Sequence, residues 1–268
     1  MKTEAVSRGP RTATDSRLAR SVMAHPLRAF VAGAYAFSWI WWLAALAGLG
    51  MPAVVVGGFG PAIAAWYVTR LSGGSVREWA RQIVKWRVRP RFYLYALGLP
   101  VLLWFAMNVV LASMGRPIDL SLLADRVPAY LGTFAFVAVL GGGFEEPGWR
   151  GFALPRLQAR HATPIRATLV LALIWGLWHL PLYGLGFVGP MLYVFFYTYL
   201  YNRTGSVLLC IVLHAGFTAA LDNLILTSDS IAVDLTILGT LVAGTLALIG
   251  LTRGRLGAEP ASGPTREA

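Results

Sequence analysis

A chain of 268 residues that is 57% hydrophobic and 13% charged, with mean hydropathy +0.62, is too apolar for a soluble domain, in which about a quarter of residues are charged. The net charge of +11 and the pI near 10.4 would suit nucleic acid in a soluble protein. Here the basic residues cluster between alternate apolar runs, which is the positive-inside pattern of membrane proteins, so nucleic acid is not an expected partner and membrane lipid is. The single cysteine, Cys210, excludes an intrachain disulfide, and the scarcity of lysine (only Lys2 and Lys85) beside abundant arginine points to a GC-rich bacterial genome and hence a bacterial plasma membrane.

Residues 1–24 are polar, basic and without apolar periodicity, and are expected to be a disordered tail. The first apolar run, of about 22 residues, is too long for a signal-peptide core and reads as a retained span. Span 1 is expected at 28–49 and span 2 at 52–70, with Pro61 a kink because it removes a backbone donor. Residues 73–91 carry Arg77, Arg81, Lys85, Arg87, Arg89 and Arg91 against Glu78, with Val76, Trp79, Ala80, Ile83 and Val84 at helical spacing. That is an amphipathic helix lying on the membrane surface. Span 3 is expected at 92–113, span 4 at 127–144, span 5 at 167–183, span 6 at 190–201, span 7 at 206–221 and span 8 at 235–252.

The excess of arginine falls before span 1, between spans 2 and 3, 4 and 5, and 6 and 7, and after span 8, while between spans 3 and 4 Arg116 and Arg126 are balanced by Asp119 and Asp125. The other four connections are neutral or acidic. The unbroken alternation supports about eight transmembrane helices with both termini in the cytoplasm. The expected organisation is an all-α multi-pass membrane protein: N-terminal helices over 25–126, a core over 127–222, a last helix over 223–252 and a polar tail over 253–268. No internal repeat is visible, which argues against an inverted-repeat transporter.

The chemistry-bearing residues stand out against this background. Glu145-Glu146-Pro147-Gly148-Trp149-Arg150 closes an apolar run, and a charged side chain at mid-membrane costs roughly 3 kcal/mol. Glu146 and Arg150 are four apart and can pair on one helical face, leaving Glu145 free to act as a base. Pro147 and the preceding Gly141-Gly142-Gly143 suggest a helix broken near Glu146, or restarting at Pro147, where it lines a cavity. His214 lies about 12 Å into span 7 and His179 about 18 Å into span 5, at 1.5 Å per residue. Both depths are compatible with one cavity open to the cytoplasm. Trp175 and Trp178 read as packing residues, Asn108 as an interhelical hydrogen bond, and Cys210, one turn before His214, as a small buried thiol rather than a nucleophile. A carboxylate and a histidine suffice to activate water, and a second histidine with a nearby hydroxyl or amide to hold an oxyanion. The same groups, Glu145, His179 and His214, are equally the ligand types for one divalent metal such as zinc, although no His-Glu-x-x-His helix is present.

These three stretches together resemble the CAAX prenyl protease 2, or CPBP (Abi), family of intramembrane proteases. The family pattern Glu-Glu-x-x-x-Arg corresponds to Glu145–Arg150, the aromatic-x-x-x-His to Trp175-Gly176-Leu177-Trp178-His179, and the His-x-x-x-Asn to His214-Ala215-Gly216-Phe217-Thr218, with Thr218 where asparagine is usual. The resemblance covers about residues 127–222. It implies that Glu145 and His179 activate water, that His214 and Thr218 face the oxyanion, and that Glu146 and Arg150 organise the site. Members of the family are described both as metalloproteases and as metal-independent glutamate proteases.

The expected function is therefore an intramembrane endopeptidase acting on membrane-associated peptides or proteins from a cytoplasm-facing cavity. Two rivals use the same residues differently. A non-catalytic scaffold or immunity protein would work without Glu145. A proton-coupled transporter would relay protons through Glu145, Glu146, His179 and His214 without cleaving peptides.

Overall fold

The computed structural model describes residues 17–259, and the described residues are helical throughout, with no strand. Of the tail expected over 1–24, residues 1–16 lie outside the described residues, while Arg17–Ala24 forms helix α1, with Val22 buried against the core. Of the polar tail expected over 253–268, residues 260–268 lie outside the described residues.

The apolar run Pro26–Leu71 is one sequence stretch but two antiparallel arms. Helix α2 (Pro26–Ala44) passes through a wide turn at Ala45–Leu49 into α3 (Gly50–Gly58) and α4 (Gly60–Leu71). The reversal uses Gly48 and Gly50 at φ 118° and 61°, a region that side chains with a Cβ avoid. The arms are fastened where Ser38 Oγ donates to Gly57 O (2.7 Å) and Trp42 Nε1 to Val54 O (3.1 Å).

Helix α5 (Val76–Ile83), starting at a Ser75 cap that accepts from the Glu78 amide, is the amphipathic segment, shorter than the 73–91 expected. Then follow α6 (Pro90–Ser113), α7 (Leu123–Val139), the short turns α8 (Glu146–Gly148) and α9 (Leu154–Gln158), α10 (Pro164–Trp178), α11 (Leu180–Tyr183), α12 (Val188–Thr204), α13 (Val207–Asn223) and α14 (Ile231–Leu251). Proline opens α2, α6 and α10, where its missing N–H costs nothing. Serine or threonine caps α10, α13 and α14, satisfying amides that have no partner within the helix.

By length and composition, Pro26–Leu71, Pro90–Ser113, Leu120–Gln158, Leu180–Thr204 and Ile231–Leu251 can cross a bilayer, and α10 and α13 are shorter apolar helices. With the hairpin counted as two arms, each expected span has a helix. Hydrogen bonds between connections bear on the alternation. Gln158 reaches Asn202, Asn202 reaches Leu256 O and Ser206 reaches Lys85 O at the arginine-rich end. At the other end Asp119 N bonds Leu226 O, and Arg116 bonds Ser228 O. Asn108 joins that second group, bonding Leu224 O and the Leu226 amide, so it ties α6 to a connection rather than to another helix.

Candidate active site

Helix α7 ends at Val139, short of the expected span. The chain then loops through Gly141 into a 3-10 turn, Gly142–Glu145, and restarts at Glu146 with Pro147 in the first turn. The break comes before the proline, at the triple glycine, and it turns two carboxylates inward. Glu145 is 5% exposed and Glu146 fully buried.

Glu146 Oε1 accepts from Arg150 at 3.1 Å and from His214 Nδ1 at 2.9 Å. The Arg150 guanidinium lies over the rings of both Trp175 and Tyr197, 4.4 and 4.2 Å from their centres, and those two rings stand nearly perpendicular to each other. A buried cation thus has a carboxylate in hydrogen-bond contact and two aromatic rings beside it, an arrangement arginine suits better than lysine.

Glu145 Oε2 accepts from Trp175 Nε1 at 2.9 Å and lies 3.8 Å from His179 Nε2. That second distance is too long for a direct hydrogen bond and short enough for one water to bridge. The carbonyl of the same Trp175 is 2.8 Å from His179 Nδ1. A carbonyl only accepts, so Nδ1 carries the proton and Nε2 is left with a lone pair. The same argument applies at His214, whose Nδ1 donates to Glu146. A Cβ built on Gly142 would fall 2.6 Å from His214 Nε2 and 3.0 Å from Glu145 Oε1, so those two atoms converge on the gap that this glycine leaves.

Trp175 is the residue that the sequence reading undervalued. Taken as packing, it instead orients Glu145, fixes the tautomer of His179 and covers Arg150. Tyr183, stacked on His179 at 5.1 Å with rings 8° apart, was missed altogether. Its signal, an aromatic one turn after the histidine, is common in apolar helices and carries no specificity. Cys210 is fully buried, its Sγ 3.9 Å from Tyr197 O.

A cavity of about 690 Å³ lies beside these groups, walled by His179, His214, Tyr183, Tyr193 and Thr218. Glu145 lies behind the wall, within reach of His179. The cavity is also lined by Leu185, Gly186, Val188, Gly189, Pro190, Asp222 and Asp234, which lie in or beside connections without an excess of arginine. The two imidazole nitrogens and the Glu145 carboxylate are donor types that zinc takes. Among the described residues, however, no three His, Cys, Asp or Glu side chains are drawn together as a cation-holding set.

Residues 127–220, which contain every residue just described except Asp222 and Asp234, match the model of the Rce1-like family, type II CAAX prenyl endopeptidases. The chain is also similar to CAAX prenyl protease 2 of Methanococcus maripaludis, 31% identical over 133 aligned residues that cover 42% of this chain and 48% of the relative. The chain thus spans about half the length of the curated relative it matches.

Proposed function

We propose, for a chain whose residues 127–220 match the model of the Rce1-like family of type II CAAX prenyl endopeptidases, that it belongs to that family and hydrolyses peptide bonds of membrane-associated substrates within a bacterial plasma membrane. One observation carries this reading. Glu145, His179 and His214 come from three separate segments and each has one atom committed to the protein, while Glu145 Oε1 and His214 Nε2 converge beside Gly142 and His179 Nε2 lies 3.8 Å from Glu145 Oε2. Packing alone gives no reason for that arrangement.

In the proposed reaction a water held between Glu145 and His179 gives its proton to the Glu145 carboxylate as its oxygen attacks the scissile carbonyl. The carbonyl electron pair moves onto oxygen. A His214 ring protonated at both nitrogens would donate Nδ1–H to Glu146 and Nε2–H to that oxyanion, with the Thr218 hydroxyl, one helical turn on, as the second donor. Collapse of the tetrahedral intermediate re-forms the carbonyl and breaks the C–N bond. The amine leaves with the proton that Glu145 had taken. Glu146 and Arg150 touch no substrate and position His214. The cavity wall, largely apolar beyond the histidines, suits a hydrophobic or lipid-linked peptide, and Asp222 and Asp234 at the mouth suit one with a basic residue nearby.

The test is purified wild type against Glu145→Gln on a library of membrane-anchored peptides, with cleavage read by mass spectrometry. Loss of a general base is expected to lower the rate about 10²–10⁴-fold. Cleavage unaffected by the substitution would overturn the assignment. Proton movement in proteoliposomes without cleavage would favour a carrier.

A further inference from the structure

A second cavity, of about 670 Å³, lies at the arginine-rich end, where the chain leaves α5 and enters α6. Lys85, Arg87, Arg89, Arg91 and Arg203 line it, against one carboxylate, Glu259. Among the described residues the ion pairs all involve Glu145 or Glu146, so none of these five cations lies within ion-pair distance of a described acid. Two are held by aromatic rings: Arg87 lies 5.1 Å over Trp86 and Arg91 4.9 Å over Phe92. Trp86 is itself 61% exposed, as befits a tryptophan at a membrane–water interface. Five unpaired like charges around one hollow repel one another unless an anion enters.

The same helix continues the site into the apolar layer. Leu94, Leu97, Gly98, Val101, Leu102 and Phe105 line a groove of about 490 Å³ on the outside of α6. Arg91, Leu94, Gly98, Val101 and Phe105 recur at three- and four-residue steps, which is one helical stripe. The charged hollow and the apolar groove therefore follow one another along one face of α6, a helix long and apolar enough to cross a bilayer. Gly98 leaves room there: a Cβ added to it meets nothing within 4 Å.

We propose that this is a binding site for one anionic phospholipid, its phosphate in the Lys85–Arg91–Arg203 hollow and an acyl chain along the groove of α6. The charge complementarity selects the anion, and the groove selects a lipid over free phosphate. The site is separate from Glu145 and the two histidines, so it does not depend on the proposed protease reading.

The test uses the full chain, delipidated in detergent and titrated with phosphatidylglycerol, phosphatidylcholine or inorganic phosphate, with bound species counted by native mass spectrometry. Wild type is expected to prefer phosphatidylglycerol to phosphatidylcholine. The triple variant Lys85→Gln, Arg89→Gln, Arg203→Gln should lose about a hundredfold of phosphatidylglycerol affinity. Gly98→Leu, which fills the groove and leaves the charges alone, should weaken the lipid while leaving phosphate binding unchanged. Equal retention of the two lipids would overturn the proposal, as would a preference untouched in either variant. Phosphate that displaces the lipid fully from wild type, with Gly98→Leu silent, would make this a free-anion site instead.

Discussion

At the scale of single residues, Trp175 connects the site. Its indole N–H holds Glu145, its carbonyl holds His179 and its face covers Arg150. Trp175→Phe keeps the face and the carbonyl and removes only the N–H. A hydrogen bond to a charged group is worth about 1.5–3 kcal/mol, so kcat should fall roughly 10- to 100-fold while the thermal midpoint in detergent hardly moves. Thr218→Val removes a hydroxyl at nearly constant volume. If that hydroxyl holds the oxyanion, kcat should drop about 10²–10³-fold with KM little changed, and Thr218→Asn should retain cleavage. Arg150→Met breaks a fully buried pair and strands Glu146, at a cost of about 3–5 kcal/mol, which thermal unfolding would register directly. Which residues carry charge in the apolar layer was legible from the sequence, because nothing else explains two adjacent glutamates after an apolar run. What Trp175 does was not, because a tryptophan in a membrane helix has many reasons to be there and only the third dimension shows its N–H meeting a carboxylate thirty residues earlier.

At the scale of elements, the broken segment between α7 and α9 decides the site. The sequence indicated a break near Glu146, and the helix gives way earlier, at Leu140 and Gly141, because three successive glycines hold a helix less well than the following residues do. Pro147 then falls in the first turn of the restart, where it is tolerated rather than disruptive. Gly142→Ala tests the break. Its methyl would sit 2.6 Å from His214 Nε2, so either the ring or the turn must shift. Loss of cleavage with retained thermal stability is the expected result. Helix α5 adds a second tie, because Trp79 Nε1 donates to Pro147 O at 3.0 Å. The amphipathic pattern of that helix was plain in the chain, but its contact with the Glu145–Arg150 stretch was not, since it joins residues 68 positions apart.

At the scale of the whole molecule, the arginine alternation and the helix order agree on which ends lie together. Under the charge bias, the cavity-lining residues of the arginine-poor connections, Gly186 among them, would face away from the cytoplasm and Arg255 toward it. Single cysteines decide this. Cys210 is buried and can stay in place. Gly186→Cys, at the mouth, should react with a membrane-impermeant maleimide in intact cells. Arg255→Cys, near the far end of α14, should react only after permeabilisation. The reverse pattern would put Gly186 in the cytoplasm and Arg255 outside. Span number and alternation were readable because they depend on local composition.

The wholly enclosed Arg150 has a consequence for how the protein is made. Its aromatic covers come from α10 and α12, and the imidazole sharing its carboxylate comes from α13. All of these leave the ribosome after it does. A nascent chain halted before residue 188 has inserted a guanidinium into lipid with half its shelter still untranslated, and such fragments should be cleared by membrane quality control rather than accumulate as stable halves.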